Sequence, residues 1–402
     1  MGLEAAAGHH ADGSDHEQED ECGQAAGGHL HSVVSRAREI KFAAIGSIRG
    51  DAARGYDGVV DDFEARLLDS IQNELPLVER PFAALAEKLG VDQSSVVERT
   101  KALVASGVIR QLSAIFDTRR LGYRGMLVAA RTPAEREDEA AAVFSTHPGV
   151  SHNYLREHDL NLWFTLTVSP RSQLGLEPTV ELLGELAGVE VIRPMPALRF
   201  FKIGVDLDIR GDRDPAAKAV RAAPVKQAPP PEDLSDREIA AIRALQQHLP
   251  IEPEPFAQAA ASEGFTAAEL VAIGQEFLLD GRMRRFAAVL AHRRAGFVQN
   301  GMGVWCVPEE RLDECGHLMA AFRGVSHCYQ RPTYPGWPYN LFSMTHGRSK
   351  ADCEAVLEAV SRETGLTDYS VLYSTKEYKK TRVTYFTPEE SAWETAHAPL
   401  LA

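Results

Sequence analysis

The chain carries the same landmarks twice. Leu75-Pro76 recurs as Leu249-Pro250, Pro81-Phe82 as Pro255-Phe256, and "IRQLSA" from Ile109 answers "MRRFAA" from Met283, each 174 positions on. "RRLGYRGM" from Arg119 matches "RRAGFVQNGM" from Arg293 with a two-residue insertion, and "GVSHNYLRE" from Gly149 matches "GVSHCYQRP" from Gly324, 175 positions on. A period this long marks a duplicated domain rather than a solenoid, whose units run about 20–50 residues. The duplication predicts a pseudo-two-fold dimer within one chain, with room for a further homo-oligomer.

Each copy reads as three helices followed by strand, helix, strand, strand, helix, strand. In "PFAALAEKLGVDQSSVVERTKALVASGVIRQLSAIFD" the apolar positions Phe82, Leu85, Ala86 and Leu89 keep helical spacing, Gly90 turns the chain, and Ser94 is the expected N-cap of a helix through Leu103. That is helix-turn-helix grammar, with a wing after Gly107. "RGMLVAART", "VSHNYLREH", "LNLWFTLTVS" and "VEVIRPMPALRFFKIGVDLDI" then read as strands around the helices "AEREDEAAAVFSTHP" and "TVELLGELAG". The order β-α-β-β-α-β is ferredoxin-like, with helices on one sheet face and the other face available. The expected class is α+β: tandem winged helix-turn-helix plus ferredoxin-like domains. Its boundaries are a disordered acidic, His-rich tail (1–60), a winged helix (61–118), a ferredoxin-like domain (119–211), a Pro/Ala-rich linker (212–235), a degenerate winged helix (236–292), a second ferredoxin-like domain (293–388) and a C-terminal tail (389–402).

Charge and composition narrow the partners. A formal net charge of −14 opposes attraction to phosphate backbones. The first recognition-helix position sets Glu98 beside Arg99 and Lys101, and the second, "TAAELVAIGQEFLLDG", has three acids and no Lys or Arg. These helices are expected to act as scaffold, with no DNA partner. No apolar run approaches the roughly 20 residues of a membrane span, and the histidine-bearing start (His9, His10, His16, His29, His31) lacks signal-peptide character. Five cysteines without CxxC spacing argue against disulfides and zinc, hence for a reducing cytoplasm.

The repeated row carries the chemistry. Alternation along a strand puts His152, Tyr154 and Arg156 on one face, and likewise His327, Tyr329 and Arg331. The second copy adds Tyr334, Trp337, Tyr339 and His346, an aromatic wall suited to a large planar polyanion, and a histidine can also be an axial ligand to haem-type iron. Cations gather as Arg282, Arg284, Arg285, His292, Arg293 and Arg294, and as Lys376, Lys379, Lys380 and Arg382. They could read nucleic acid, clamp a carboxylate-rich ligand, or line a solvated strand.

"LAEKLGVDQSSVVERTKALVASGVIRQLSAIFD" resembles the Lrp/AsnC winged-helix family. "SHNYLREHDLNLWFTLTV" and "SHCYQRPTYPGWPYNLFSMTHG", with "TKEYKK", resemble the two subunit types of siroheme decarboxylase, over roughly residues 61–210 and 233–388. The resemblance implies a fusion of both types that removes two acetate carboxyl groups from siroheme, giving 12,18-didecarboxysiroheme for haem or d1-type haem. It implies catalytic roles for His327, Tyr329, Arg331, His152, Tyr154 and Arg156, and substrate contacts from Trp337, Tyr339, Asn340, His346, Lys376, Lys379 and Lys380. No metal or cofactor of its own is implied; the iron belongs to the substrate, with His327 or His346 as its candidate axial ligand. The alternatives are an Lrp-type regulator with a small effector, which would bind DNA in a salt-dependent, sequence-selective way, and a haem-binding sensor.

Overall fold

The computed structural model describes residues 62–204, 214–218, 233–290 and 299–397. The expected tail at 1–60, most of the linker, and His292, Arg293 and Arg294 lie outside the described residues.

In the first copy, α1 (Asp62–Asn73), α2 (Pro81–Leu89) and α3 (Gln93–Ala105) form the helix-turn-helix. Proline at the first position of α2 loses no hydrogen bond there, and Gly90 ends the helix at φ 70°, the left-handed region glycine enters without strain. The cap of α3 is Asp92, not Ser94: its carboxylate accepts the Ser95 N–H at 2.8 Å and the hydroxyls of Ser94 and Ser95, so Ser94 sits inside the first turn. In the second copy, α6 (Asp236–Leu245), α7 (Phe256–Ser262) and α8 (Ala267–Leu279) repeat the arrangement. Here α6 and α8 start with reciprocal capping boxes, Ser235 with Glu238 and Thr266 with Glu269.

The wings β1 (Ile109–Phe116) and β7 (Met283–Leu290) pair antiparallel, with Ala114 opposite Phe286. Neither winged helix buries its apolar faces alone. Leu67, Phe82 and Leu112 of the first copy and Ile242, Phe277 and Phe286 of the second share one core.

The ferredoxin-like copies are β2 (Arg124–Arg131), α4 (Glu137–Thr146), β3 (Val150–Arg156), β4 (Leu162–Val168), α5 (Leu176–Ala187) and β5 (Val191–Met195), then β8 (Gln299–Trp305), α9 (Leu312–Ala321), β9 (Val325–Gln330), β10 (Leu341–Gly347), α10 (Lys350–Thr364) and β11 (Tyr369–Lys380). With β6 (Arg199–Ile203), their strands form one nine-stranded sheet in the order β5-β2-β4-β3-β11-β8-β10-β9-β6. Each copy sends its last strand across to its neighbour: β6 pairs with β9, and β11 pairs first with β8 and then with β3. The end strands β5 and β6 are consecutive in sequence, joined through residues 196–198. The duplicated copies are therefore interlocked, as the pseudo-dimer requires.

Helices cover one face of each half over separate cores, Phe144, Phe164 and Leu183 in the first and Trp305, Met319 and Leu357 in the second. The α9–β6 approach is close enough that a Cβ on Gly316 would lie 2.5 Å from the Phe201 ring. The stretch expected as a C-terminal tail contains a docked helix, α11 (Pro388–His397). Its Trp393 joins the first core, and its buried Glu394 accepts from the Ser172 hydroxyl and the Gln173 N–H (3.0 Å). Among the described residues no helix is long and apolar enough to cross a membrane.

Candidate active site

Helix contacts fix which way each row points. Asn153 donates to Ala141 O of α4 at 2.9 Å, and buried Cys328 lies against Gly316 O of α9. Their alternating neighbours, His152, Tyr154 and Arg156 and then His327, Tyr329 and Arg331, face away from the helices. The two rows have closely similar geometry. His152 and Tyr154 ring centroids are 6.0 Å apart at 37°, and those of His327 and Tyr329 are 5.9 Å apart at 44°. The Arg156 guanidinium lies 5.6 Å from the Tyr154 ring centroid, and that of Arg331 lies 5.0 Å from Tyr329 and 5.4 Å from Phe342.

Both arginines are buried. Arg156 donates to Leu372 O at 2.7 Å and Arg331 to Met195 O, each bridging to a strand of the other copy. Among the described residues neither meets a carboxylate, and neither Nε has a hydrogen-bond partner. Burial lowers both to about 10, so both stay cationic at neutral pH. A buried cation without a counter-charge is costly in a closed interior. It makes sense where an anionic ligand completes the pair.

By exposure the first row is the more buried, with Tyr154 and Arg156 both buried, whereas in the second row Arg331 is buried and Tyr329 only partly so. Burial, then the charges of Arg331, His152, Arg284 and Lys202, pulls His327 down to about 4. Burial pushes Tyr329 up to about 12, so its phenol keeps its proton. Residues of the first copy build its wall: Phe200 packs edge-on against Tyr329 (5.4 Å, 89°), and Arg119 lies 4.8 Å from the Phe200 ring centroid. Arg284 reaches toward the row from β7 while holding Asp117 at 3.0 Å. In the first row the positions of Phe200 and Ile203 are taken by Glu377, opposite Tyr154, and Lys380, opposite His152. Phe200 and Arg119 escaped sequence reasoning because their place beside Tyr329 depends on the strand exchange. The only local sign was the extension after "VEVIRPMP".

The remaining expected residues divide. His346 shares the row's face of β10, two positions beyond Met344, which stands opposite His327. Tyr339 is partly buried with its phenol raised by burial and by Asp368. Trp337 lies in the turn Thr333–Pro338, closed by reciprocal backbone bonds between Tyr334 and Trp337 (3.0 and 2.7 Å). Three of the expected substrate contacts have partners within the protein. Asn340 is a framework residue: its amide accepts from Val307 N at 2.9 Å and donates to Val307 O at 2.7 Å, as Asn161 does at Thr132 in the first copy. Lys376 turns to the helix-covered face and pairs with Asp138 at 2.6 Å. Lys379 turns the same way, donating to Ser145 O and His147 O (2.9 and 3.1 Å) at the C-terminal end of α4, where a cation suits the helix dipole. Of the three lysines, Lys380 alone sits beside a row. Among the described residues Cys315, Cys328 and Cys353 are free and buried.

Paired winged helices under two ferredoxin-like halves, each with a buried basic and aromatic row, define a ligand-binding protein of the AsnC-like class. The AsnC-like ligand binding domain matches residues 120–202 and 294–379, and the siroheme decarboxylase NirDL-like HTH domain matches residues 64–110. A siroheme decarboxylase of Hydrogenobacter thermophilus is 39% identical over 328 residues, covering 82% of this chain and 96% of that protein. The siroheme decarboxylase beta subunit of Methanosarcina barkeri is 41% identical over 150 residues, 37% of this chain but 99% of the subunit, as expected when one chain joins two subunit-like halves. The crystal structure of the siroheme decarboxylase NirDL in co-complex with an iron-uroporphyrin III analogue is similar with a TM-score of 0.67 and 33% identity, covering 85% of this chain and 100% of that one. The chain belongs to the siroheme decarboxylase family.

Proposed function

We propose that this chain removes two acetate carboxyl groups from siroheme to give 12,18-didecarboxysiroheme, and that the second row is the working site. Arg331 carries the reading: a buried guanidinium with no carboxylate partner among the described residues, set beside His327 and Tyr329. A planar macrocycle bearing many carboxylates supplies the missing charge and stacks on aromatic walls such as Phe200 and Phe342. The related decarboxylase crystallised with an iron-uroporphyrin III analogue supports this substrate class.

Each step breaks the bond between an acetate methylene and its carboxylate. Carbon dioxide leaves, the electron pair stays on the methylene carbon, and one proton converts it to methyl. No oxidant or reductant enters, so the proposal gives the protein no cofactor of its own and treats the iron as substrate. Arg331 orients the carboxylates. Tyr329, which keeps its proton, is a neutral acid beside them. An axial bond to the substrate's iron falls to His327 rather than His346, whose Nε2 is buried. The winged helices are scaffold without a DNA role, since α8 commits Glu269 to its own cap and brings no cation to the recognition position.

Anaerobic incubation with siroheme, followed by product mass, tests the reading. The expected result is stepwise loss of two carbon dioxide units. Unchanged siroheme together with sequence-selective DNA binding would replace it with the regulator alternative.

A further inference from the structure

We propose that Ser326 and Thr165 hold the two row histidines in opposite tautomers, His327 with its hydrogen on Nδ1 and His152 with its hydrogen on Nε2. Each hydroxyl has few hydrogens to give. A serine has one. Ser326 Oγ lies 3.1 Å from Met344 O, which can only accept, so that hydrogen is committed there. Toward His327 Nδ1, 2.9 Å away, Ser326 has only lone pairs left, and Nδ1 must donate. In the neutral ring this leaves His327 Nε2 bare. Among the described residues no hydrogen bond engages that nitrogen, and the residue is partly exposed.

The first copy repeats the Val-Ser-His sequence but reverses the direction. Thr165 stands opposite His152, in the register position that Met344 holds opposite His327. Its hydroxyl accepts the His152 backbone N–H at 3.2 Å and lies 2.8 Å from Ser151 Oγ, which is 3.0 Å from His152 Nδ1. Running from Thr165 to Ser151 to Nδ1, the chain uses both hydroxyl hydrogens. Run the other way, it leaves the hydrogen of the partly exposed Thr165 with no acceptor but solvent among the described residues, the poorer of the two arrangements. His152 Nδ1 therefore accepts, and Nε2 carries the hydrogen.

One residue thus makes the duplicated rows chemically unlike. His327 presents a lone pair, fit to bond a metal or take a proton, whereas His152 presents an N–H, fit to donate to an anion. Ser326 and Thr165 are positioning residues that act through the rings. The assignment of these roles rests on the decarboxylase reading. The tautomers themselves belong to the protein alone.

The test is long-range ¹H–¹⁵N correlation of the imidazoles in substrate-free, full-length protein labelled with [¹⁵N]histidine, with His152→Gln and His327→Gln to assign the signals. The expected spectra show a pyridine-type Nε2 in His327 and a pyrrole-type Nε2 in His152. Ser326→Ala should release the His327 preference while Ser326→Thr keeps it, and Thr165→Val should disturb His152 alone. Matching tautomers in the wild type, a reversed pair, or rings of mixed state would overturn the proposal. If the tautomers are as expected and siroheme is not turned over, the proposal stands and the decarboxylase reading falls. In single-turnover assays Ser326→Ala should slow the chemical step and leave substrate affinity near wild type, with Ser326→Thr restoring the rate. Loss of affinity with an unchanged chemical step would remove the catalytic meaning assigned to the tautomer.

Discussion

Replacing Arg331 with methionine should weaken ligand binding without weakening the empty protein in proportion. The guanidinium is buried, donates to Met195 O and stacks over Tyr329 and Phe342, but meets no carboxylate among the described residues. Taking a charge out of water costs several kcal/mol, about what a well-packed apolar replacement recovers. Against that, Met195 O loses its donor, a cost of about 1–3 kcal/mol for an unsatisfied buried carbonyl, and the ring contact goes, about 0.5–2 kcal/mol. These terms nearly cancel, so urea unfolding of substrate-free Arg331→Met should fall within about 2 kcal/mol of wild type, either way. Binding has no such compensation. Hydrogen bonds to charged groups contribute about 1.5–3 kcal/mol each, so one lost carboxylate contact alone should raise the dissociation constant by about tenfold to a hundredfold. Absorbance titration with an iron uroporphyrin measures it. Wild-type affinity combined with a fold destabilised by more than about 4 kcal/mol would show that Arg331 is a structural strut and refute the reasoning.

Three further variants probe the framework. Burial alone would raise Asp117, but the charges of Arg284 and Arg119 outweigh it and hold the carboxyl below its ordinary 3.8. Its stabilisation is therefore present above that value and lost as pH falls through the lower folded-state value; Asp117→Asn should flatten the acid limb of a urea-midpoint profile, and an unchanged limb would contradict this. Gly316→Ala sets a methyl 2.5 Å from the Phe201 ring, so it should cost about 1–3 kcal/mol in thermal unfolding, with Phe201→Leu recovering much of it. Asn340→Ala removes both bonds to Val307 and should cost about 1–3 kcal/mol of stability while leaving iron uroporphyrin affinity unchanged; lost affinity in a stable variant would return Asn340 to the ligand site.

What could be read in the sequence was whatever repeats locally. The duplication exposed the row, and period-two alternation put His327, Tyr329 and Arg331 on one face because Cys328 between them lies under α9. Alternation failed in β11, where register shifts fall between Ser374 and Lys376 and again between Glu377 and Lys379. These bulges bring Lys376 and Lys379 to the same helix-covered side, which no strict two-residue period can express. In "DQSS", three residues of types favoured at N-caps compete, and Asp92 prevails because one carboxylate satisfies three donors. Neither the packing of Phe200 on Tyr329 nor Asn340's use as a backbone staple leaves a local mark, since both depend on chain brought together by the fold.

The central claim is that the second row does the chemistry. Anaerobic single-turnover kinetics with siroheme on His327→Ala, Arg331→Ala, His152→Ala and Arg156→Ala, with circular dichroism to confirm folding, tests it most directly. The account predicts that both second-row variants lose turnover strongly, by about 100-fold or more where a group in the proton path is removed, and that Arg331→Ala also binds substrate less tightly. The first-row pair should fall less, with His152→Ala slowed to the extent that its N–H serves the same pocket. Wild-type rates in both second-row variants, or a greater loss in the first-row pair, would contradict the account and move the active site to the first row.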